Sequence, residues 1–167
     1  MSKRKVIYLI LDNIRSRENV GSIFRTADAA GVTKIYLCGI TPTPPHDKIS
    51  KTALGAETYV PWEYRKQTWK CLLEIKNQNP KIKIIGLEQT KDAENVFMFG
   101  SMFRSSTSKH IALVLGNEIR GLSPQILKYC DKIVCIPMCG KKESLNVSVA
   151  AGIALYQMIK PRTNLIR

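Results

Sequence analysis

The strongest constraint on this chain is the alternation of short, unbroken apolar runs with segments of helical periodicity. Residues 6–11 (VIYLIL), 34–38 (KIYLC), 82–87 (IKIIGL), 111–115 (IALVL) and 133–136 (IVCI) are apolar almost throughout, not at every second position. Strands of that composition have to be covered on both faces, which is the situation of a parallel sheet. Helices are expected between them at about 20–30, 67–77, 124–129 and 147–159. This order predicts an α/β fold, a mostly parallel sheet covered by helices on both faces. The 167 residues are read as a single domain, 1–167, with residues 41–45 (TPTPP) in a loop because successive prolines break helix and ladder alike.

Two helices carry further detail. In residues 19–31 (NVGSIFRTADAAG), Val20, Ile23, Phe24 and Ala27 share one face, Asn19 suits the N-cap and Gly31 the residue after the helix. Ser22 and Arg25 fall off the apolar stripe. The last helix is apolar on two sides: Val147, Ala150, Ala151, Ala154, Leu155 and Met158 form one stripe, Val149, Ile153 and Tyr156 another. A sheet covers only one of them, so a homodimer is expected through the second.

Charge narrows the partner. Lys and Arg number 26 against 13 Asp and Glu, for a net charge of +13. The excess points to a polyanion, with nucleic acid ahead of an acidic membrane surface. The basic residues, among them Lys3, Arg4, Arg15, Arg17, Lys48, Lys51, Lys141 and Lys142, are scattered, so the positive surface belongs to the fold and not to a tail. No apolar run reaches membrane-spanning length and residues 6–11 do not make a signal peptide, so a cytoplasmic protein is expected. The five cysteines are an odd number and contain no CxxC. No disulfide framework and no metal are expected, and Cys130, Cys135 and Cys139 are read as small buried hydrophobes.

Three segments fall where strands run into helices, the place α/β folds reserve for ligands: 19–25 (NVGSIFR), 116–118 (GNE) and 136–148 (IPMCGKKESLNVS). Gly116 and Gly121 are spaced like a phosphate loop, but Leu122 and Ser123 replace the Lys and Ser/Thr such a loop needs. Each polar residue has a structural reading of its own: Gly116 for a tight turn, Glu118 as a solvated charge, Ser144 or Asn146 as a helix cap. Together they contain no Ser/His/Asp triad, no Cys–His pair and no paired carboxylates. Asn, Arg, Glu and Ser on loops of a basic protein suit group transfer onto a nucleic acid better than hydrolysis. A dinucleotide enzyme is disfavoured, since LDNIR (11–15) stands where GxGxxG would follow the first strand.

The stretches NVGSIFRTADAAGV, LVLGNEIRGLS and IPMCGKKESLNVSVAAGIALYQ resemble, in order and spacing, the three signature motifs of the SpoU (TrmH-type) RNA 2′-O-ribose methyltransferases of the SPOUT superfamily. The resemblance covers essentially the whole chain. It implies a homodimer that binds S-adenosylmethionine in a deep C-terminal trefoil knot, here about residues 111–158, an arrangement periodicity alone would never suggest. It places cofactor binding on the backbone around Leu87, Gly116, Ile136 and Leu145, with Gly116 letting backbone approach the cofactor.

The catalytic positions that match are Asn19, Arg25, Glu118, Ser144 and Asn146. Asn19 and Glu118 would orient Arg25 and its loop, and Ser144 and Asn146 would hold the ribose or the knot. For Arg25 two roles stay open: proton acceptor from the 2′-hydroxyl, or bidentate grip on the target phosphate, the latter being easier for a guanidinium. Relatives often carry a separate N-terminal RNA-binding extension; with the first motif at Asn19, none is expected here. RNA, with tRNA placed ahead of rRNA, would then meet the basic domain itself, through Arg15, Arg17, Lys48, Lys51 and the surface at 48–62. A catalytically silent RNA-binding or assembly protein is the alternative.

Overall fold

The computed structural model describes residues 5–105 and 110–159; Lys3 and Arg4 lie outside them. In chain order the elements are β1 (Val6–Asp12), α1 (Arg17–Ala30), β2 (Lys34–Cys38), α2 (Asp47–Ala53), α3 (Ala56–Tyr59), β3 (Trp62–Arg65), α4 (Thr68–Gln78), β4 (Lys83–Leu87), β5 (Glu94–Asn95), α5 (Val96–Ser105), β6 (His110–Leu115), α6 (Pro124–Leu127), β7 (Lys132–Cys135) and α7 (Val147–Met158). The strands form one sheet in the order β3-β2-β1-β6-β4-β7-β5. Every pairing is parallel. All five apolar runs are strands, so the expected α/β class holds.

The unbroken apolar character of the strands has the expected cause. Ile7, Leu9 and Leu11 of β1 enter a core shared with α1 and α7, while Ile10 enters a second core with Leu72 and Ile75 of α4 and with Ile126 of α6. Both faces of β6 are filled in the same way, Leu113 and Leu115 on one side, Ala112 and Val114 on the other. Each face therefore needs apolar residues, and a run of period 1 satisfies both.

The elements not anticipated lack a sequence period. β3 (WEYR) is a half-exposed edge strand, β5 has two residues, and α2 and α3 are too short to display a stripe. α5 opens on the run VFMF, which carries no helical repeat. The expected Asn19 cap is corrected: α1 begins at Arg17 and Ser16 caps it, its hydroxyl accepting the Asn19 N–H at 3.1 Å. Asn19 is inside the helix because its side chain is engaged elsewhere. Gly31 does terminate α1 in a left-handed conformation with φ 71°. Cys139 is exposed, contrary to its reading as a buried hydrophobe, because the loop before α7 lies on the surface.

Register decides where the site forms. Leu11 pairs with Leu115, Leu115 with Leu87, and Leu87 with Val134, so four parallel strands end in one row. The segments that follow them all emerge at the same edge. α7 buries Ala151, Ala154, Leu155 and Met158, whereas Val149 and Tyr156 on its other side stay exposed. Among the described residues no helix is long and apolar enough to cross a membrane.

α1 lies across α2 at Gly21. A Cβ added there would stand 2.3 Å from the Ile49 carbonyl oxygen and 2.0 Å from Thr52 Oγ1. An alanine in a helix interior ordinarily stabilises by up to ~1 kcal/mol over glycine. Gly21→Ala should instead destabilise by about 1–3 kcal/mol, the usual cost of overpacking. A lower urea midpoint at unchanged m-value would show it; an equal or higher midpoint would refute the crossing.

Candidate active site

The loop after β6 is built around its glycines and Asn117. Asn117 Oδ1 accepts the N–H groups of Ile119 and Arg120 at 3.0 and 2.9 Å, and its Nδ2 donates to the Asn13 carbonyl at 2.8 Å. The Gly121 N–H returns to the Asn117 carbonyl at 2.8 Å, with Gly121 at φ 64°. A Cβ on Gly116 would lie 2.5–2.7 Å from the backbone of Gly121 and Leu122. The close approach that Gly116 permits is thus that of its own loop. Glu88, after β4, fastens the loop by accepting the Leu122 N–H at 2.6 Å.

Glu118 projects from this loop and collects the turn after β1. Its carboxylate accepts the Arg15 N–H at 3.0 Å, the Ser16 N–H at 3.0 Å and Asn19 Nδ2 at 3.1 Å. Burial alone would raise its pKa. The backbone donors of Arg15, Ser16 and Glu118 itself, with the Asn19 amide, outweigh burial and hold the carboxyl below the ordinary value. Asn19 Oδ1 in turn accepts Asn146 Nδ2 at 3.0 Å. Asn146 caps α7, its Oδ1 accepting the Ser148 N–H at 2.9 Å and the Ser148 hydroxyl at 2.6 Å. Since both ends of the Asn19 amide are engaged, the network sets its orientation. Segments far apart in sequence are thereby joined through Glu118, Asn19 and Asn146.

Beside this chain lies a cleft of about 290 Å³ at the ends of β4, β6 and β7. Leu87, Gly116, Ile136 and Leu145, the expected cofactor residues, all line it, together with Glu118 and Ser144. Its walls mix apolar Leu115, Val147 and Ala150 with Glu143, Ser144 and Leu145 of the loop before α7. Residues 137–145 make no hydrogen bond with another described residue, so the loop's backbone groups are available to a ligand. The Ile136 carbonyl is already engaged, accepting Gln89 Nε2 at 2.7 Å. Ser16, Glu88, Asn117 and Gln89 have structural parts here that the sequence reading did not assign. A carboxylate or amide right after a strand end was the available signal for the last three.

Other expected residues stand apart. Arg25 is exposed, lines no wall of the cleft and has no partner among the described residues. Glu118 and Asn19 therefore orient the turn before α1, and they do not touch Arg25, which is six residues further along a rigid helix. Arg17, Lys48 and Lys51 are exposed, and Lys48 lies 3.6 Å from Glu18 in a solvent-facing ion pair. Arg15 is exposed at the rim beside Glu118.

A methylase fold is what comparison with known proteins returns. The model of the "SpoU rRNA Methylase family" matches residues 6–156. The chain belongs to this family. It is 35% identical over 162 residues to the tRNA (guanosine(18)-2′-O)-methyltransferase of Aquifex aeolicus, covering 96% of this chain and 72% of that one. It is 34% identical over 159 residues to the 23S rRNA (guanosine-2′-O-)-methyltransferase RlmB of Xylella fastidiosa, covering 95% and 60%. The SpoU methyltransferase AviRb from Streptomyces viridochromogenes, solved in complex with the cofactor AdoMet, superimposes with a TM-score of 0.82 at 27% identity, covering 93% and 60%. The chain thus spans about 60% of the length of the first curated relatives it matches.

Glu118→Gln tests the carboxylate's part in assembling the site. A carboxyl whose folded pKa is depressed contributes stability above its unfolded value, about 4.3 for Glu, and loses it as pH falls through the folded value. The variant should be less stable than wild type at pH 7, and the difference should shrink progressively below about pH 4.3. Denaturant titrations across that range measure it; a difference independent of pH would contradict the charge-based account.

Proposed function

We propose that this protein is an RNA (ribose-2′-O-)-methyltransferase that uses S-adenosylmethionine. The observation that carries this reading is the Glu118–Asn19–Asn146 hydrogen-bond chain beside the cleft, which unites all three family motifs. Family membership and the AdoMet-bound relative support it. The residues present fit the cofactor: apolar Leu87, Ile136 and Leu145 can enclose an adenine, and unpartnered backbone of the 137–145 loop can read its polar edge. Carboxylates of Glu88, Glu118 and Glu143 on the cleft suit a cation. When bound, the cofactor supplies a methyl group on a positively charged sulfur.

The chain's own residues then have to present the ribose in line with that methyl. Asn19 and Asn146 fix the lip of the cleft, so a ribose seated there loses its freedom before reaction. Ser144, exposed on the cleft wall and unpartnered among the described residues, offers a hydroxyl to the sugar. The 2′-oxygen would take the methyl carbon while the sulfur keeps the electron pair of the bond it loses, and the hydroxyl proton would pass to solvent water at the open mouth of the cleft. We assign Arg25 to the target phosphate: an unpartnered guanidinium binds it bidentately and steadies the charge around the hydroxyl.

Because Arg25 does not line its own cleft, we read the working unit as a homodimer. The exposed Val149–Tyr156 side of α7 is its contact, and Thr26, next to Arg25, faces Gly152 of α7, so this contact brings Arg25 toward a second copy. The fold from 1 to 167 is taken as a single unit with the knot at about 111–158. The substrate is taken as tRNA ahead of rRNA.

Incubation with labelled cofactor and bulk cellular RNA should transfer label to ribose 2′-oxygens; absence of label with intact cofactor binding would favour a silent RNA-binding protein. Arg25→Ala should lower transfer at least about 100-fold, in the range of a lost positioning or charge-stabilising group, with cofactor affinity unchanged by calorimetry. Mixing Arg25→Ala with Glu118→Ala, each inactive alone, should restore activity, since one site of the mixed dimer is then intact. Failure of the mixture to recover would exclude the shared arrangement.

A further inference from the structure

Resting on that reading of RNA as substrate, we propose that a second concavity, on the other side of the 116–123 loop, seats the RNA strand flanking the reacting ribose. This groove measures about 1010 Å³ and opens at the ends of β1, β2 and β3. Asn117, Ile119 and Gly121 line both it and the cofactor cleft, so one loop is the partition between the two.

Charge distinguishes the groove. Arg15 follows β1, Lys66 follows β3 and Arg120 follows β6, and all three are exposed on its walls. None has a carboxylate partner among the described residues, whereas Lys34, Lys48, Arg65, Lys76 and Lys132 are each ion-paired. The one acid among the described lining residues, Asp12, is 4% exposed. Its carboxylate is already engaged by the Thr68 hydroxyl and by Asn13 Nδ2 at 3.0 Å. No described residue of the groove therefore neutralises the three cations.

Three cations carried by separate loops around so open a space match a run of phosphates better than one small anion. Apolar surface completes the fit. Ile119 is 78% exposed and Ile40 66%, both on the groove, and half-buried Trp69 is on the same lining. The Trp69 ring is the stacking surface for an unstacked base, as in proteins that hold single strands, and the two isoleucines add apolar area on the same lining. The strand's seat is mechanically tied to the chemistry: the Arg15 N–H is one of the donors that hold Glu118.

The test compares two charge reversals of equal size on the full chain. Lys66→Glu with Arg120→Glu alters the groove; Lys81→Glu with Lys83→Glu alters the start of β4, at the opposite end of the sheet. Binding of a fluorescently labelled single-stranded oligoribonucleotide of mixed sequence is followed by anisotropy at several salt concentrations. The groove variant should lose about tenfold or more in affinity, and the slope of log K against log salt should flatten by about 1.4, two contacts at ~0.7 each. The control should match wild type, and unchanged melting temperatures should show that both variants fold. Equal losses in both variants, no loss in the groove variant, or no binding by wild type would overturn the groove. Methyl transfer by wild type with unaltered RNA affinity in the groove variant sinks the groove and leaves the activity standing. Groove-dependent binding without any methyl transfer does the reverse.

Discussion

The Glu118 carboxylate accepts two backbone N–H groups of the turn after β1 and the side-chain amide of Asn19, joining the loop after β6 to the start of α1. Those donors satisfy a partly buried charge that would otherwise be expensive to desolvate. Asn19 is then held with its carbonyl oxygen toward Asn146, which caps α7. Remove the carboxylate and both the turn and the amide lose their fixed orientation. The site is therefore an assembly of loops gathered by the Glu118 carboxylate at the end of the sheet.

That sheet sets what the loops can do. With β6 inserted between β1 and β4, the 116–123 loop rises at the middle of the strand row. One flank faces β4 and β7 and a small, mixed-polarity cleft; the other faces β1, β2 and β3 and a larger, positively lined groove. The tight packing of Gly116 against Gly121 and Leu122, with Glu88 gripping Leu122 N–H, makes that partition stiff. A stiff partition keeps the small cleft and the larger groove apart as two distinct spaces.

Much of this was legible before any coordinates. The strands stood out because burial on both faces leaves an unbroken apolar run, and α1 and α7 because their stripes are long enough to show a period. The expected cofactor residues Leu87, Gly116, Ile136 and Leu145 do share one cleft. Edge strand β3 and the short helices escaped because a half-exposed or four-residue element carries no periodic signature. Asn19 has the sequence features of a cap because Asn and Ser are almost equally good caps, and only the position of Glu118 decides between Ser16 and Asn19.

The order of apolar runs and the residue types after them determined, by themselves, an α/β sheet and a set of loop-borne amides, carboxylates and cations. Local chemistry is sufficient for that much, since strands, caps and turns are chosen by neighbours in the chain. Only the tertiary structure decided which of those residues meet. Glu118 lies 99 residues from Asn19 and Asn19 lies 127 from Asn146, yet each pair is within hydrogen-bond distance. Arg25, six positions from Asn19, stands apart because a helix carries it beyond reach. Parallel strand order and register set such distances, and neither is written in any one segment of the chain.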